Sequence, residues 1–292
     1  MKSNLPFNLP KIDQAKETPI WTGSKFVVGA DTFRVLEYSE NFNGWTDELT
    51  QIHEDAVGSS HPIDLNSRKF ALHAMTQNGC SQEGAVILEI GCSSGFLIRE
   101  IADAFPNAIV VGSDVVKEPL YKLADENPQI AFIRFDLTQC PLPSDTFDCV
   151  ILLNVLEHIE NDINALAQIY RILKKGGALI IEVPSGPFLY DSYDKFLKHY
   201  RRYSMSTLIQ KLKNLNFHVQ KSTHLGFFVF PAFFLVKLFN KINPIKDGDV
   251  VKAQAGITAK SKLLNFIFKV EMRLQQFISY PFGIRCAVVV KK

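Results

Sequence analysis

Glycine and polar residues follow several short apolar runs, at the points where strands of a parallel sheet would end. Gly91 and Gly95 follow the first of these runs, and Asp114, Asp136 and Asn154 follow the next three. Ligands of an open parallel sheet bind outside the carboxyl ends of its strands. These positions therefore predict a ligand crevice.

These residue types suit a nucleoside ligand with an anionic end. Gly91 allows a sharp turn, and Gly95 allows a ligand to approach the start of the following helix, whose free amides attract a carboxylate or a phosphate. Asp114 lies 23 residues after Gly91, where a carboxylate can bind the hydroxyls of a ribose. Asp136 could accept a hydrogen bond from an exocyclic amine of adenine. A nicotinamide dehydrogenase could use the same features, so they leave the ligand open.

Apolar runs alternate with helical patterns along the chain, which is typical of a parallel α/β sheet. Strands are predicted at 85–90, 108–112, 130–135, 147–153, 178–183, 217–222 and 284–290. Helices are predicted at 66–77, 96–105, 118–127, 163–173 and 206–215, and a small hairpin at 25–36. The Lys-Lys-Gly-Gly segment 174–177 predicts a helix stop.

Five segments resemble, in order, the motifs of the class I S-adenosylmethionine-dependent methyltransferases. They correspond to the family's cofactor loop, its ribose-binding and adenine-binding motifs, and the stretches around its fourth and fifth strands. The resemblance extends over about residues 85–220 and the last strand, and Ser93 stands where the family's loop has its middle glycine. The segments are 86–96, 110–114, 135–137, 142–159 and 173–184.

The resemblance implies an α/β fold with a seven-stranded, doubly wound Rossmann-like sheet of order 3-2-1-4-5-7-6, whose last strand is antiparallel. A dehydrogenase of the Rossmann type would not close in this way, so the apolar run 284–290 favours a methyltransferase. Residues 1–83 are then an N-terminal extension that covers the acceptor, and residues 84–292 are the methyltransferase domain. A helical insertion, 223–282, separates strands 6 and 7.

The resemblance also implies S-adenosylmethionine as the cofactor. It assigns the glycine loop to the methionine end, the second strand end to ribose, the third to adenine and the fourth to the sulfonium and its methyl group. The predicted cofactor-binding residues are Glu89, Gly91, Cys92, Ser93, Gly95, Asp114, Val115, Asp136, Leu137 and Asn154.

Candidates for the acceptor side are fewer. His199 lies in a segment that resembles one following the fifth strand in many relatives, so it could act as a base or substrate ligand, or as a polar lid contact. Arg201 and Arg202 could hold an anionic substrate group bidentately or cover a helix end. His158 could make a catalytic contact or bond to nearby backbone, and His61 could contact substrate or be structural.

Composition limits the function classes. The chain has 292 residues with 47% hydrophobic content, which describes a globular protein, and its net charge of +2 gives no argument for a nucleic-acid partner. The five cysteines lack the CxxC spacing of a zinc site, so no metal is expected. They are typical of reduced thiols in the cytoplasm. No secretory signal and no membrane-spanning run is expected.

The insertion is rich in phenylalanine. Five phenylalanines lie within 227–234, and apolar residues recur at helical spacing over 263–278 among lysines and arginines. Residues 226–280 could form a helical hairpin that packs on the domain or on a second subunit. They could also form a peripheral contact with the inner face of a membrane, which would suit a lipid or lipid-linked acceptor.

Three hypotheses result. The first is methyl transfer, preferably to oxygen, on a small-molecule, glycan or lipid-linked acceptor. The second is a non-catalytic binding or assembly protein with the same fold. The third, a nicotinamide oxidoreductase, is disfavoured by the predicted closing strand.

Overall fold

A computed structural model describes residues 3–12, 17–39, 45–59, 61–92, 94–242 and 262–292. The strands are β1 (Ile20–Trp21), β2 (Phe26–Val28), β3 (Asp31–Phe33), β4 (Val35–Glu37), β5 (Val86–Ile90), β6 (Ile109–Asp114), β7 (Ala131–Arg134), β8 (Phe147–Leu153), β9 (Leu173–Pro184), β10 (His218–Leu225) and β11 (Arg285–Lys291). The α-helices are α1 (Asp47–Val57), α2 (Pro62–Gln77), α3 (Phe96–Ala104), α4 (Glu118–Glu126), α5 (Asp162–Ile172), α6 (Ser192–Phe196), α7 (Met205–Asn214), α8 (Phe230–Ile242) and α9 (Lys262–Leu274).

The central sheet has the order β10-β11-β9-β8-β5-β6-β7-β4. Its strands from β9 to β4 pair in parallel, whereas β11 lies antiparallel between β9 and β10. The predicted α/β, Rossmann-like fold is confirmed. The carboxyl ends of β5, β6, β7 and β8 therefore share one edge of the sheet, which brings the polar residues after them together.

Two apolar layers cover the sheet. Side chains of α2, α3, α4 and α9 form the core on one face, and those of α5, α7 and the N-terminal segment form the core on the other. Every residue of β5 is buried, as expected for a parallel strand with helices on both sides. Each large apolar side chain buried in this way contributes roughly 1.5–3 kcal/mol of transfer free energy.

The region 25–36 differs from the predicted hairpin. β2 and β3 do pair in antiparallel fashion, and β1 joins them. Val35 and Leu36, however, belong to β4, which pairs in parallel with β7 as an eighth strand of the central sheet. The difference follows from burial, because Val35 and Leu36 are at most 1% exposed at the sheet edge, whereas β3 is exposed throughout.

The predicted helix stop at 174–177 is also placed differently. Helix α5 ends at Ile172, and β9 begins directly at Leu173. Pairing with β8 shifts between Phe147 and Cys149, so residues 174–177 lie within a bulged start of β9. Gly176 takes up the turn with a φ of 78°.

The insertion contains α8 and α9, and residues 243–261 between them lie outside the described residues. Glu271 of α9 joins the insertion to the domain, because its carboxylate accepts from the Gly226 amide at 2.6 Å and from the Asn66 side chain of α2 at 3.2 Å. Within the described part of the chain, no helix combines the length and apolar character needed to cross a membrane. All five cysteines are free, buried thiols.

Candidate functional site

The donor loop, residues 91–95, turns sharply between β5 and α3. Gly91 has a φ of 82° and Gly95 a φ of 70°, both in the left-handed region that favours glycine. A Cβ atom at Gly91 would lie 2.3 Å from Val155 Cγ2, so no side chain fits there. The Gly91 amide donates to the Ser113 carbonyl at 2.8 Å, which holds the loop against the end of β6. Ser93 lies outside the described residues.

A pocket of about 120 Å³ opens in front of the donor loop. The predicted residues Glu89, Gly91, Cys92, Gly95 and Asn154 line it. The N-terminal region and the last strand complete its wall. These further lining residues include Gly58, Asp64, Ser67, Arg68 and Arg285.

Glu89 and Asp114 place two carboxyl groups at the ends of neighbouring strands. Glu89 is 6% exposed, and its Oε2 oxygen has no hydrogen-bond partner. Burial, together with the charge of Asp114, raises the pKa of Glu89 well above its usual value. Asp114 is 7% exposed, and its Oδ1 accepts from the amides of Val115 and Val116. A bound ammonium group would relieve the unpartnered oxygen of Glu89.

The adenine candidates lie at the end of β7. Asp136 Oδ1 accepts from the amide and the hydroxyl of Thr138, both at 2.8 Å, so it caps a short helical turn. Leu137 is 3% exposed and packs into the apolar core. Val115 is half-buried next to Asp114. Of these three residues, Val115 and Asp136 are partly exposed, and none of the three lines the pocket in front of the donor loop.

These features fit S-adenosylmethionine. The two glycines let the loop pack closely against Val155 and Leu123, and the helix start of α3 offers amides to a carboxylate. Glu89 presents an unsatisfied buried oxygen to an ammonium group, and Asp114 stands at the next strand end for a ribose. Cys92 is buried at 2% exposure, and burial raises the pKa of its thiol, so the thiol is no nucleophile.

A buried polar network stands beside the pocket and includes Asn154. Asn154, at a φ of 55°, donates from its side chain to Glu182 Oε1 at 3.2 Å. The same oxygen accepts from Ser67 of α2 at 2.8 Å and from Arg285 of β11 at 2.9 Å. Arg285 also donates to Asp64 at 2.6 Å. The network therefore fixes Asn154 at the end of β8 and joins three elements around the pocket.

His61 extends this network. Its Nδ1 lies 3.4 Å from Asp64 Oδ2, and the residue precedes the first turn of α2. Although burial opposes ionisation of Asp64, Arg285 and His61 hold its pKa below its usual range. Asp64 and Arg285 form part of the pocket wall. His61 does not line the pocket but contacts Asp64, which does.

A second buried cluster holds His199. Its Nδ1 lies 2.8 Å from Asp194 Oδ1, and Arg202 Nε contacts both oxygens of Asp194 at 2.8 and 2.9 Å. Lys237 of α8 contacts Asp191 at 2.7 Å and Asp194 at 3.3 Å. Burial raises the pKa of Asp194, but the His199 hydrogen bond and the two cations outweigh it, so the pKa lies well below its usual value. Because Asp194 is ionised and only accepts, His199 Nδ1 carries the proton.

Arg201 and Arg202 both contact protein groups around this loop. Arg202 is 7% exposed and also donates to the Ser185 carbonyl, so its fork is occupied by the protein. Arg201 contacts Asp162 at 3.0 Å and the Glu160 carbonyl at 2.6 Å. Binding of an anionic substrate group by either arginine stays a prediction.

His158 and His199 come together. Their ring centroids are 4.6 Å apart, and the ring of Trp45 lies 4.7 Å from His158 on the other side. Neither histidine lines the pocket in front of the donor loop. Burial lowers the pKa of His199, so its imidazole is neutral at pH 7 despite the neighbouring Asp194.

Sequence reasoning missed Glu157, Glu182, Asp194 and Arg285. Glu157 is 1% exposed, and burial raises its pKa to about 8. Arg285, Glu182 and Arg202 all lie close enough to act on its carboxyl, so Glu157 stands between the two buried clusters. A usable signal existed, because Glu182 and Arg285 interrupt otherwise apolar strands, where a charge needs a partner.

Comparison with known proteins supports the cofactor site. A family profile described as a methyltransferase domain matches residues 88–181, which include the donor loop, Asp114, Asp136 and Asn154. Cycloartenol-C-24-methyltransferase of Arabidopsis thaliana is 26% identical over 162 residues, covering 51% of this chain and 48% of the relative. Malonyl-(acyl-carrier protein) O-methyltransferase of Halalkalibacterium halodurans is 30% identical over 121 residues, covering 39% and 44%.

The chain spans about half the length of these curated relatives. Among solved structures, an S-adenosylmethionine-dependent methyltransferase of Mesorhizobium loti covers 79% of this chain and 100% of its own, with a TM-score of 0.51 and 17% identity. At that identity the likeness concerns the fold. The donor loop, the strand-end carboxylates and the profile match agree, so residues 88–181 form a methyltransferase domain of the class I S-adenosylmethionine-dependent type.

Proposed function

We propose that this protein transfers a methyl group from S-adenosylmethionine to an oxygen atom of a lipid or lipid-linked acceptor. The observation that carries the lipid part is an exposed apolar face on α8, α9 and the segment after α9. S-adenosylmethionine supplies a methyl group on an electrophilic sulfonium, so the protein has mainly to bind and orient the two substrates and exclude water.

Residues at the carboxyl ends of β5, β6, β7 and β8 would bind the methyl donor. Glu89 would receive the ammonium group and the amides at the start of α3 the carboxylate. Asp114 would bind the ribose hydroxyls, and Asp136 would meet the adenine. Asn154, fixed by Glu182, would stand at the methyl end. These roles agree with the order of the strands along the shared sheet edge.

The N-terminal extension, residues 1–83, would cover the acceptor. Helix α2 supports this proposal because it contributes Asp64, Ser67 and Arg68 to the pocket in front of the donor loop. Arg68 is anchored to Glu100 at 2.9 Å, and Asp64 to Arg285 at 2.6 Å. The extension and the methyltransferase domain would thus form one site.

The apolar face consists of Leu235, Phe239, Phe266 and Phe277, which are 65%, 61%, 64% and 84% exposed. Large exposed apolar side chains in such number mark a protein or membrane contact. Basic residues accompany it, as expected for contact with an anionic bilayer. They are Lys241, Lys269 and Arg273, all exposed.

Helix α8 joins this face to the candidate site. Its Lys237 points inward to Asp191 and Asp194, and Asp194 holds His199. The names of the two curated relatives support the proposal in part, since one specifies cycloartenol, an apolar acceptor, and the other methylation at oxygen.

A labelling experiment tests the reaction. The full chain is incubated with S-adenosylmethionine labelled in its methyl group and with cell extract separated into organic and aqueous fractions. We expect alkali-sensitive or ether-type label in the organic fraction, and none with an Asp114→Ala variant. Label confined to the aqueous fraction would contradict the lipid acceptor. Cofactor binding in calorimetry without label in either fraction would support the non-catalytic alternative.

Vesicle flotation tests the apolar face. A Leu235→Glu, Phe239→Glu variant should lose most of its recovery with anionic phosphatidylglycerol vesicles, because carboxylates would enter the interface. The matched control is Ile163→Glu on α5, a residue that is 54% exposed and far along the chain from the apolar face. Equal recovery of all three proteins would count against membrane contact.

A further inference from the structure

Three side chains with metal-binding groups converge behind the donor loop. Glu157 and His158 lie in the short helical turn Leu156–His158 after β8, and His199 lies in the loop after α6. One ligand atom from each can be chosen such that all three lie within 4.8 Å of one another. Among the described residues, this is the group of histidine, cysteine and acidic side chains close enough to share an ion.

We propose that Glu157, His158 and His199 bind one divalent first-row transition-metal ion. Two imidazoles and one carboxylate are a ligand set for Zn²⁺ and for related ions such as Co²⁺ and Mn²⁺, and they leave positions open for an exogenous ligand. Ligand atoms around a tetrahedral Zn²⁺ lie about 3.4 Å apart. The ligand atoms would therefore have to move by about 1 Å toward one another to reach that separation.

The burial of Glu157 is an independent reason to expect a bound cation. The residue is 1% exposed, and its Oε2 oxygen is buried without a hydrogen-bond partner. An isolated buried carboxylate oxygen costs free energy that a cation would offset. Its backbone carbonyl accepts from the Tyr200 amide at 2.8 Å, which keeps the turn and the His199 loop together.

His199 is held in the orientation that a ligand needs. Its Nδ1 bonds to Asp194, which leaves Nε2 as the ligand nitrogen, the carboxylate–histidine arrangement found behind many metal ions. The His199 amide donates to the Asp194 carbonyl at 2.8 Å, and Tyr190 donates to the His199 carbonyl at 2.7 Å. Arg202 and Lys237 then fix Asp194 from two sides. The ring is thus positioned before any ion arrives.

An ion here would bind an acceptor oxygen, and that role rests on the proposed function. The turn begins two residues after Asn154, the predicted neighbour of the methyl group. A Lewis acid lowers the pKa of a bound hydroxyl, so no side chain need serve as general base. Ion binding itself does not depend on methyl transfer.

The test titrates the chelator-treated full chain with Co²⁺, read by its visible absorption, and with Zn²⁺ by calorimetry. We expect one ion per chain. Glu157→Gln and His199→Asn should each weaken binding at least tenfold, and the positioning variant Asp194→Asn should weaken it about 10–100-fold. The control is His224→Asn, a buried histidine on β10 that should bind as the wild type does.

Absence of binding by the folded wild type, or unchanged affinity in both Glu157→Gln and His199→Asn, would overturn the site. Far-ultraviolet circular dichroism checks that each variant is folded. Calorimetry with S-adenosylmethionine on the same variants should give unchanged affinity. Ion binding without methyl transfer would therefore contradict the proposed function and leave the metal site standing.

Discussion

At the scale of single residues, the site depends on positions where no side chain fits. Gly91 and Gly95 adopt left-handed backbone, and their missing Cβ atoms let Val155 and Leu123 pack directly against the loop. Glu89 lines the pocket in front of that loop and has an unpartnered oxygen. We therefore expect recognition of a cationic, ribose-bearing ligand to depend on the closely packed glycine loop and on the carboxyl groups of Glu89 and Asp114.

A pair of glycine variants separates backbone strain from the close packing of the donor loop. Gly91→Ala and Gly84→Ala both place a Cβ atom at positive φ, 82° and 72°, which costs about 1 kcal/mol each. Only Gly91→Ala meets Val155, at 2.3 Å, whereas Gly84 has open space. We expect calorimetry to show at least a tenfold loss of S-adenosylmethionine affinity for Gly91→Ala alone. Equal losses in both variants would contradict this account of the loop.

At the scale of elements, α8 is bound to the His199 loop by a buried lysine. Lys237 is 1% exposed, and its ammonium group lies between Asp191 and Asp194. A helix whose outer face is apolar is therefore anchored on its inner face by charge. Its position and the orientation of Asp194 are coupled, so a contact on the outer face can reach the candidate metal ligands.

We expect Lys237→Met to lower the free energy of unfolding by about 3–5 kcal/mol, because it leaves the buried Asp191 carboxylate without its cation and Asp194 with Arg202 alone. Lys241→Met, one turn further along the same helix and exposed, should change it by less than about 0.5 kcal/mol. Urea unfolding measures both. A Lys237→Met protein as stable as Lys241→Met would show that the buried pair does not anchor α8.

The hydrophobic pattern of the sequence predicted the strands and helices that carry the site. It did not predict which charged side chains pair with one another. The run 147–153 coincides with β8, and each polar residue predicted at a strand end lies at the shared sheet edge. Glu182 and Arg285 were missed because they meet only when β11 enters beside β9, about a hundred residues away in the chain. β4 was misassigned because three residues are too short to show a period.

At the scale of the molecule, the buried network joins helix α2 to the last strand of the sheet. Asp64 belongs to α2 near the N-terminus, and Arg285 to β11, the last strand. Between them lies the whole cofactor-binding half of the sheet. The ion pair at 2.6 Å therefore closes the domain around the pocket and makes stability and site geometry depend on the same contact.

The free energy of unfolding should depend on pH through the Asp64–Arg285 ion pair. Because Arg285 and His61 hold the pKa of Asp64 below its usual value of about 4, its stabilisation is complete above that pH and is lost as pH falls toward the lower folded-state pKa. Asp64→Asn should cost about 2–3 kcal/mol at pH 7, less than a fully buried pair because its side chain is 21% exposed. The difference from wild type should shrink at pH 3.

Asp145→Asn is the matched control, since its pair with Lys292 involves a carboxylate that is 65% exposed. It should alter stability by less than about 0.5 kcal/mol at either pH. Urea unfolding at pH 7, 5 and 3 supplies the comparison. A loss in Asp64→Asn that is the same at pH 3 as at pH 7 would show that ionisation of Asp64 is not its source.

The place of β11 has a consequence for how the protein is made. β10 pairs only with β11 and joins the central sheet through that pairing. β11 follows β10 in the chain after roughly sixty residues. At roughly 5–20 residues per second, a ribosome needs on the order of 3–12 s to supply that strand. Meanwhile the open edge of β9 and the apolar residues of α8 are exposed together on the nascent chain. Until the closing strand arrives, the nascent chain therefore presents an unpaired strand edge that could pair with another chain.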